Sequence, residues 1–403
     1  MTISTLTFRT NALDSMESLQ AEISKTQEQL STGKSIQTAA DNPTGMAQVN
    51  QLNMELSASQ QYVTNGNLAS GNLNLENQAL TDATNLLQSA RDLAIEANNA
   101  SLSSTQRQDI ATQLNQQLQQ LVAIGNRTDG NGNYLFAGFA SSTQPFAQNG
   151  SSVSYGGADQ VSQVQISENQ RISAGDTGNS VFMNLPAGNG TFTTAAGATN
   201  TGTASIGPGT VTNPAQWAAA IKAAPGPYTI TFTDAKDYAV TDGSGATVTT
   251  GTYDATAGGT VAFNGIQATL SGNPASGDTF TVAPAGQSSA FATVSGLITT
   301  LTSTTLNSGQ MATQISQSIE QIDAALNNFG NVQASVGGRL NAVTAAQSTA
   351  QSRQTSFQTS ISSIADTDYA KATTQLSSEE VALQAAEESY ASLSKLSLFN
   401  YVS

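Results

Sequence analysis

The sequence predicts an α+β protein. A long helical coiled coil or bundle is formed by the N- and C-terminal segments, and a β-rich domain is inserted in the middle of the chain. Three observations predict it. Residues up to about 140, and again from about 288, carry apolar side chains at helical and heptad spacing. Between them the composition turns abruptly to Gly, Thr, Ser and Val, and the apolar period falls to two. Both extremities read as coiled coil, so each offers the other a seam. The expected organisation is a terminal coiled-coil region (1–40 with 366–403), a helical bundle with β-hairpins (41–180 with 288–365), and an outer β-rich insertion (181–287).

Taken in order, a seven-residue frame from Leu6 places Leu6, Leu13, Gln20 and Gln27 on one row and Arg9, Met16, Ile23 and Leu30 on the other. The stretch "TAADNPTGMAQ" breaks this helix. Asn42 precedes a proline and is pushed out of helical geometry, while Pro43 suits the first turn of the next helix. That second helix carries Leu73, Leu80 and Leu87 at heptad spacing, with Ala83, Ala90 and Ala97 allowing close approach of a neighbour. Ser103 and Gln106 have capping-box spacing ahead of a third stripe, Ile110, Leu114, Leu118 and Leu121.

In the middle zone "YTITFT" (Tyr228–Thr233), "TVAFN" (Thr260–Asn264) and "DTFTV" (Asp278–Val282) read as strands, and Asn264-Gly265 is a two-residue hairpin signal. Asn213 and Pro214 mark the start of one short helix. Beyond it, Val336, Leu340, Val343, Gln347, Ala350, Gln354, Phe357, Ile361 and Ile364 alternate steps of four and three. A last helix sets Leu376, Leu383 and Tyr390 on one row, with Ala386 and Leu393 on the next.

The chemistry available is narrow. The 403 residues include no His, no Cys and one Trp, and only 10% are charged. Histidine acid–base catalysis, cysteine nucleophiles, thiolate metal sites and disulfides are excluded. The net charge of −15 argues against nucleic acid and against anionic membranes as partners. Nothing at the N-terminus reads as a signal peptide and no apolar run approaches spanning length, leaving the cytosol or an export route that reads no cleavable signal.

No motif assigns catalytic residues, a cofactor or a metal. "DNPTG" lacks the ligands that calcium needs, and "YGGAD" and "TDGSG" are turns rather than phosphate loops. The pairs Glu379-Glu380 and Glu387-Glu388 belong to a solvated or interface face, because neighbours on a helix point apart. Arg91 and Arg107 are candidate interface cations, against the plainer reading of exposed helix charges, which applies to Arg339 as well.

The chain ends on Leu393, Leu396, Leu398, Phe399, Tyr401 and Val402. The apolar side chains near both extremities are too few to offset the ordering of their backbone. The expectation is that these ends order only when packed with copies of themselves or relatives, through Leu6, Leu13, Met16, Ile23, Leu30, Leu376, Leu383, Tyr390, Leu393, Leu396 and Phe399.

The stretch "STGKSIQTAADNPTGMAQVNQL" (Ser31–Leu52) resembles the amino-terminal region of the bacterial flagellin family, and the segment from Ile364 to Ser403 resembles its carboxy-terminal region. Within that family, "DGNGNYLFAGF" (Asp129–Phe139), the ending "LSLFNY" (Leu396–Tyr401) and "PASGDTFTV" (Pro274–Val282) are more similar to the hook-associated members than to filament flagellin. Arg339 is similar to a recurrent arginine of the family. The resemblance implies export unfolded through the flagellar type III channel, with a cytoplasmic chaperone beforehand. It implies assembly with copies of itself between hook-associated protein 1 and the first flagellin layer, terminal coils lining the tube and the β insertion facing outward. The alternatives are a filament flagellin and, in another class, a secreted adhesin with a β-rich binding domain on helical stalks. An Asp/Glu hydrolase has no supporting motif.

Overall fold

The computed structural model describes residues 5–254 and 259–395. Its α-helices there are α1 (Thr5–Thr32), α2 (Pro43–Ala97), α3 (Ser104–Gly125), α4 (Pro214–Ala223), α5 (Ala290–Thr302), α6 (Ser308–Ala365) and α7 (Tyr369–Lys395). The chain divides into two compact units, Met1–Thr64 with Ala346–Ser403, and Asn65–Ala345.

Local chemistry starts the helices where the sequence places them. The Asn42 side chain accepts the amide of Gly45 at 2.9 Å ahead of Pro43. Ser103 and Gln106 form a reciprocal capping box for α3. Asn213 caps α4 with Pro214 at its first position, and Ser289 accepts from Ala292 to start α5. Each such cap is worth about 1 kcal/mol.

In the first unit α1 and α7 pair antiparallel. They meet where Ser35 donates to the Ala365 carbonyl (2.7 Å) and Thr367 to that of Gly33 (2.9 Å), and Lys34 pairs with Asp366 at 2.5 Å. A second pair, Lys25–Asp41 (2.9 Å), ties α1 to the turn before α2. Asp41 lies well below the usual carboxylate range, chiefly through that lysine and the Thr38 amide and hydroxyl.

The second unit has two cores. One is helical: Leu73, Leu80 and Leu87 of α2 and Ile110, Leu114, Leu118 and Leu121 of α3 are all buried. With them lie Val294, Leu297 and Leu301 of α5 and five phenylalanines, Phe136, Phe146, Phe182, Phe291 and Phe329, also buried.

The other core is β. A five-stranded antiparallel sheet runs in the order Thr247–Thr252, Asp237–Thr241, Tyr228–Phe232, Thr279–Pro284, Phe192–Ala196. Beside it Ile266–Ser271 pairs with Thr260–Phe263 and with the short strands Ser205–Ile206 and Thr210–Val211. Alternation sends Tyr228, Ile230 and Phe232 inward and Thr229 and Thr231 outward. They meet Trp217 of α4, Phe263, Phe280 and Val282 in one cluster.

The hairpin at Asn264-Gly265 has both residues at positive φ, 47° and 79°, as a type I′ turn demands. A Cβ on Gly265 would stand 2.4 Å from the Asn213 carbonyl oxygen, which leads into α4. Gly265→Ala is therefore expected to cost about 2 kcal/mol, read as a lowered denaturant midpoint with unchanged m. Loss below about 0.5 kcal/mol would show that the turn relaxes freely.

Candidate assembly interface

The terminal pair is where sequence reasoning placed function, and its geometry is that of a two-helix seam. Apart from Gln29, whose amide donates to the Ser35 carbonyl, the α1 residues shielded from solvent are Ala12, Met16, Leu19, Ile23, Thr26 and Leu30; on α7 they are Ala372, Leu376, Glu379, Leu383, Ala386 and Tyr390. Both sets step by four and three alternately, the spacing that keeps one helix face toward its partner. Most members are half-buried, so the pair covers only part of its apolar surface.

A polar layer interrupts the seam. Thr26 and Glu379 are both buried, and the Thr26 hydroxyl donates to the Glu379 carboxylate at 3.0 Å. The Gln375 amide donates to the other carboxylate oxygen at 2.8 Å. Such a layer works only in one register, because any shift leaves a carboxylate facing aliphatic side chains.

Of the residues expected to make assembly contacts, Met16, Ile23, Leu30, Leu376, Leu383 and Tyr390 lie on this seam. Leu13 does not: it is 45% exposed on the outer face. Arg9 is exposed too. The row facing α7 is Ala12, Leu19 and Thr26 rather than Leu13, Gln20 and Gln27. Steps of three and four on either side of Met16 fit a heptad equally well, and apolar size alone favours Leu13 over Ala12. The helices pair with each other within one chain, as two complementary seams predict. The Thr26–Glu379 layer and the closing contacts at Lys34 and Asp366 supply polar bonds that counting apolar side chains leaves out. The side chains of Leu6 and Leu393, and all of Leu396 and Phe399, lie outside the described residues.

Apolar side chains remain uncovered away from the seam. Phe8, Leu13, Met54, Tyr369 and Val381 of this unit are between 45% and 64% exposed. Together with a half-covered seam they leave apolar surface for a neighbouring helix to bury.

The two arginines read as interface cations, and Arg339 with them, are used within the chain. Arg91 pairs with Asp323 at 2.6 Å, Arg107 donates to the Leu102 carbonyl at 2.7 Å, and Arg339 is held by Asp176. Among the described residues no group of three or more acidic side chains is placed to hold a metal ion, and no helix is long and apolar enough to cross a membrane.

Residues 3–141 match the bacterial flagellin N-terminal helical region and residues 319–402 the C-terminal helical region. Residues 195–284 match the D2-like domain of flagellar hook-associated protein 1. The FlgL of Xanthomonas campestris is 31% identical, with a TM-score of 0.70 over 77% of this chain and 99% of that one. The chain belongs to the flagellar hook-associated protein 3 family. Hook-associated protein 3 of Legionella pneumophila is 30% identical, with a TM-score of 0.71 over 78% of this chain and 98% of that one. Hook-associated protein 3 of Escherichia coli K12 is 32% identical over 166 residues, which are 41% of this chain and 52% of that protein. The chain thus spans about half the length of that curated relative. Hook-associated protein 3 relatives are flagellar structural proteins, and the two flagellin regions fall on the segments that carry α1 to α3, and α6 and α7.

Proposed function

We propose that this chain is the adaptor at the hook–filament junction. It assembles on hook-associated protein 1 as a ring or short helical layer of copies of itself and supports the first flagellin subunits. It carries out no catalysis. It is held by a cytoplasmic export chaperone, leaves through the flagellar type III channel and works outside the cell.

One observation carries the reading: α1 and α7 form a registered pair whose seam is half-buried and whose outer faces keep Phe8, Leu13 and Val381 exposed. Such a pair is built to be completed by neighbours. Family membership and the likeness to a flagellar junction protein of Legionella pneumophila support the location.

Deleting the chain in its host tests it. The expected result is bare hooks with flagellin monomers shed into the medium. Normal filaments after deletion would overturn it, and unlimited polymerisation of the purified chain would assign it to the filament instead.

A further inference from the structure

Glu76 of α2 is 2% exposed, in the second unit. Its Oε1 accepts the backbone N–H of Asp176 at 3.1 Å. Its Oε2 is buried and has no hydrogen-bond donor among the described residues. An ionised carboxylate in that position is costly.

The neighbouring cation relieves it only in part. Arg339 of α6 donates to the carbonyls of Ser173 (3.4 Å) and Gly175 (3.1 Å) and to the Asp176 carboxylate, and its Nε is itself without a partner. Arg339 is therefore committed to the 173–176 turn. Asp129 lines the same cleft as Glu76 but is satisfied by the amides of Asn131 and Asn133.

We propose that Glu76 is a neutral acid in the folded chain, donating its proton to Asp176, and that this pair is a latch. It fastens the 173–178 turn between α2 and α6 and opens as pH rises. The inference concerns the fold and stands apart from the flagellar assignment.

The electrostatics agree. Burial, then the Asp176 charge and its hydrogen bond, push Glu76 up to about 9, against the pull of Arg339. Asp176 and Arg339 are the charged groups that act on it. Above that pH two carboxylates would share one arginine in a largely buried site, and the turn would leave α2.

That turn matters to the core. Gly178 donates to the Phe136 carbonyl (2.8 Å), and the next residues, Asn179–Met183, carry Phe182 into the phenylalanine cluster. Ala174 and Gly175 also wall a cleft of about 310 Å³ that Leu68 and Phe139, both exposed, line as well. Opening the latch loosens both.

The sign follows from linkage. A group whose folded pKa is raised contributes stability that is present below its unfolded value and lost as pH rises to the folded one. The window is from about 4.5 to about 9. Glu76→Gln has no proton to lose, yet it can accept from the Asp176 amide and donate to its carboxylate.

The test compares denaturant unfolding of the full wild-type chain and Glu76→Gln at several pH values. The unfolding constant of the wild type is expected to rise relative to the variant by about tenfold per pH unit between about 5 and 9. Carboxyl carbon NMR of the wild type, labelled at glutamate, reads the same proton directly and decides alone if the variant does not fold. Parallel pH profiles, or a Glu76 signal that titrates near the unfolded value, would overturn the latch.

Discussion

Phe182→Ala is expected to destabilise the second unit by about 4 kcal/mol, lowering its melting temperature by roughly 10 °C. Phe182 is fully buried, and its ring meets four others. It stands edge-on to Phe136 (5.1 Å, 89°), Phe146 (5.5 Å, 83°) and Phe329 (5.2 Å, 71°), and tilted against Phe291 at 5.6 Å. Truncation removes the buried ring, leaves a cavity and ends those pairings, each worth about 1 kcal/mol beyond area. The loss is large because the five rings come from different parts of the chain and no single segment can collapse into the gap. Phe139, from the same "LFAGF" stretch as Phe136, is 60% exposed, so Phe139→Ala should change stability by less than about 0.5 kcal/mol. Calorimetry of both variants separates the two sites. A loss under about 1 kcal/mol at Phe182 would show that the cluster repacks and is not the keystone of the helical core.

The contrast between these two phenylalanines shows where sequence reading stops. Elements announced by local chemistry were legible: the Ser103–Gln106 box, Asn213 before Pro214, and Asn264-Gly265 each satisfy a geometric need within a few residues. The stripes of α2 and α3 were legible too, since Leu73, Leu80 and Leu87 can face inward only together. "DGNGNYLFAGF" was recognisable as a motif, yet nothing in it says that Phe136 points to the core and Phe139 to solvent. The frame of α1 was half legible. Met16, Ile23 and Leu30 were found, but Leu19 and Thr26 were missed because their row is identified by what α7 offers opposite, the buried Glu379. Pairs made only by the tertiary fold left no local trace. Glu76 and Asp176 are 100 positions apart, and Asp176 and Arg339 are 163 apart. Each alone looks like an ordinary surface charge.

Ile23→Asp is expected to separate α1 from α7 and to abolish assembly. Ile23 is half-buried one turn from Thr26 on the face that carries the Glu379 contact. A second carboxylate there faces aliphatic groups and a carboxylate already buried, a penalty of about 2 kcal/mol. Two helices in isolation have little stability to spare, so much of their circular dichroism signal should disappear. Leu13→Asp is the informative partner. Leu13 is 45% exposed and off the seam, so the helix pair should survive within about 0.5 kcal/mol. If neighbouring copies bury that face, addition of subunits should still weaken at least about tenfold, equivalent to about 1.4 kcal/mol, measured as the concentration needed for layer formation on purified hooks. Intact helices with lost assembly in Leu13→Asp, beside lost helices in Ile23→Asp, would assign the seam to the chain itself and the outer face to its neighbours. Full assembly by Leu13→Asp would remove that face from the interface, and an unperturbed Ile23→Asp would show that α1 and α7 do not depend on their seam.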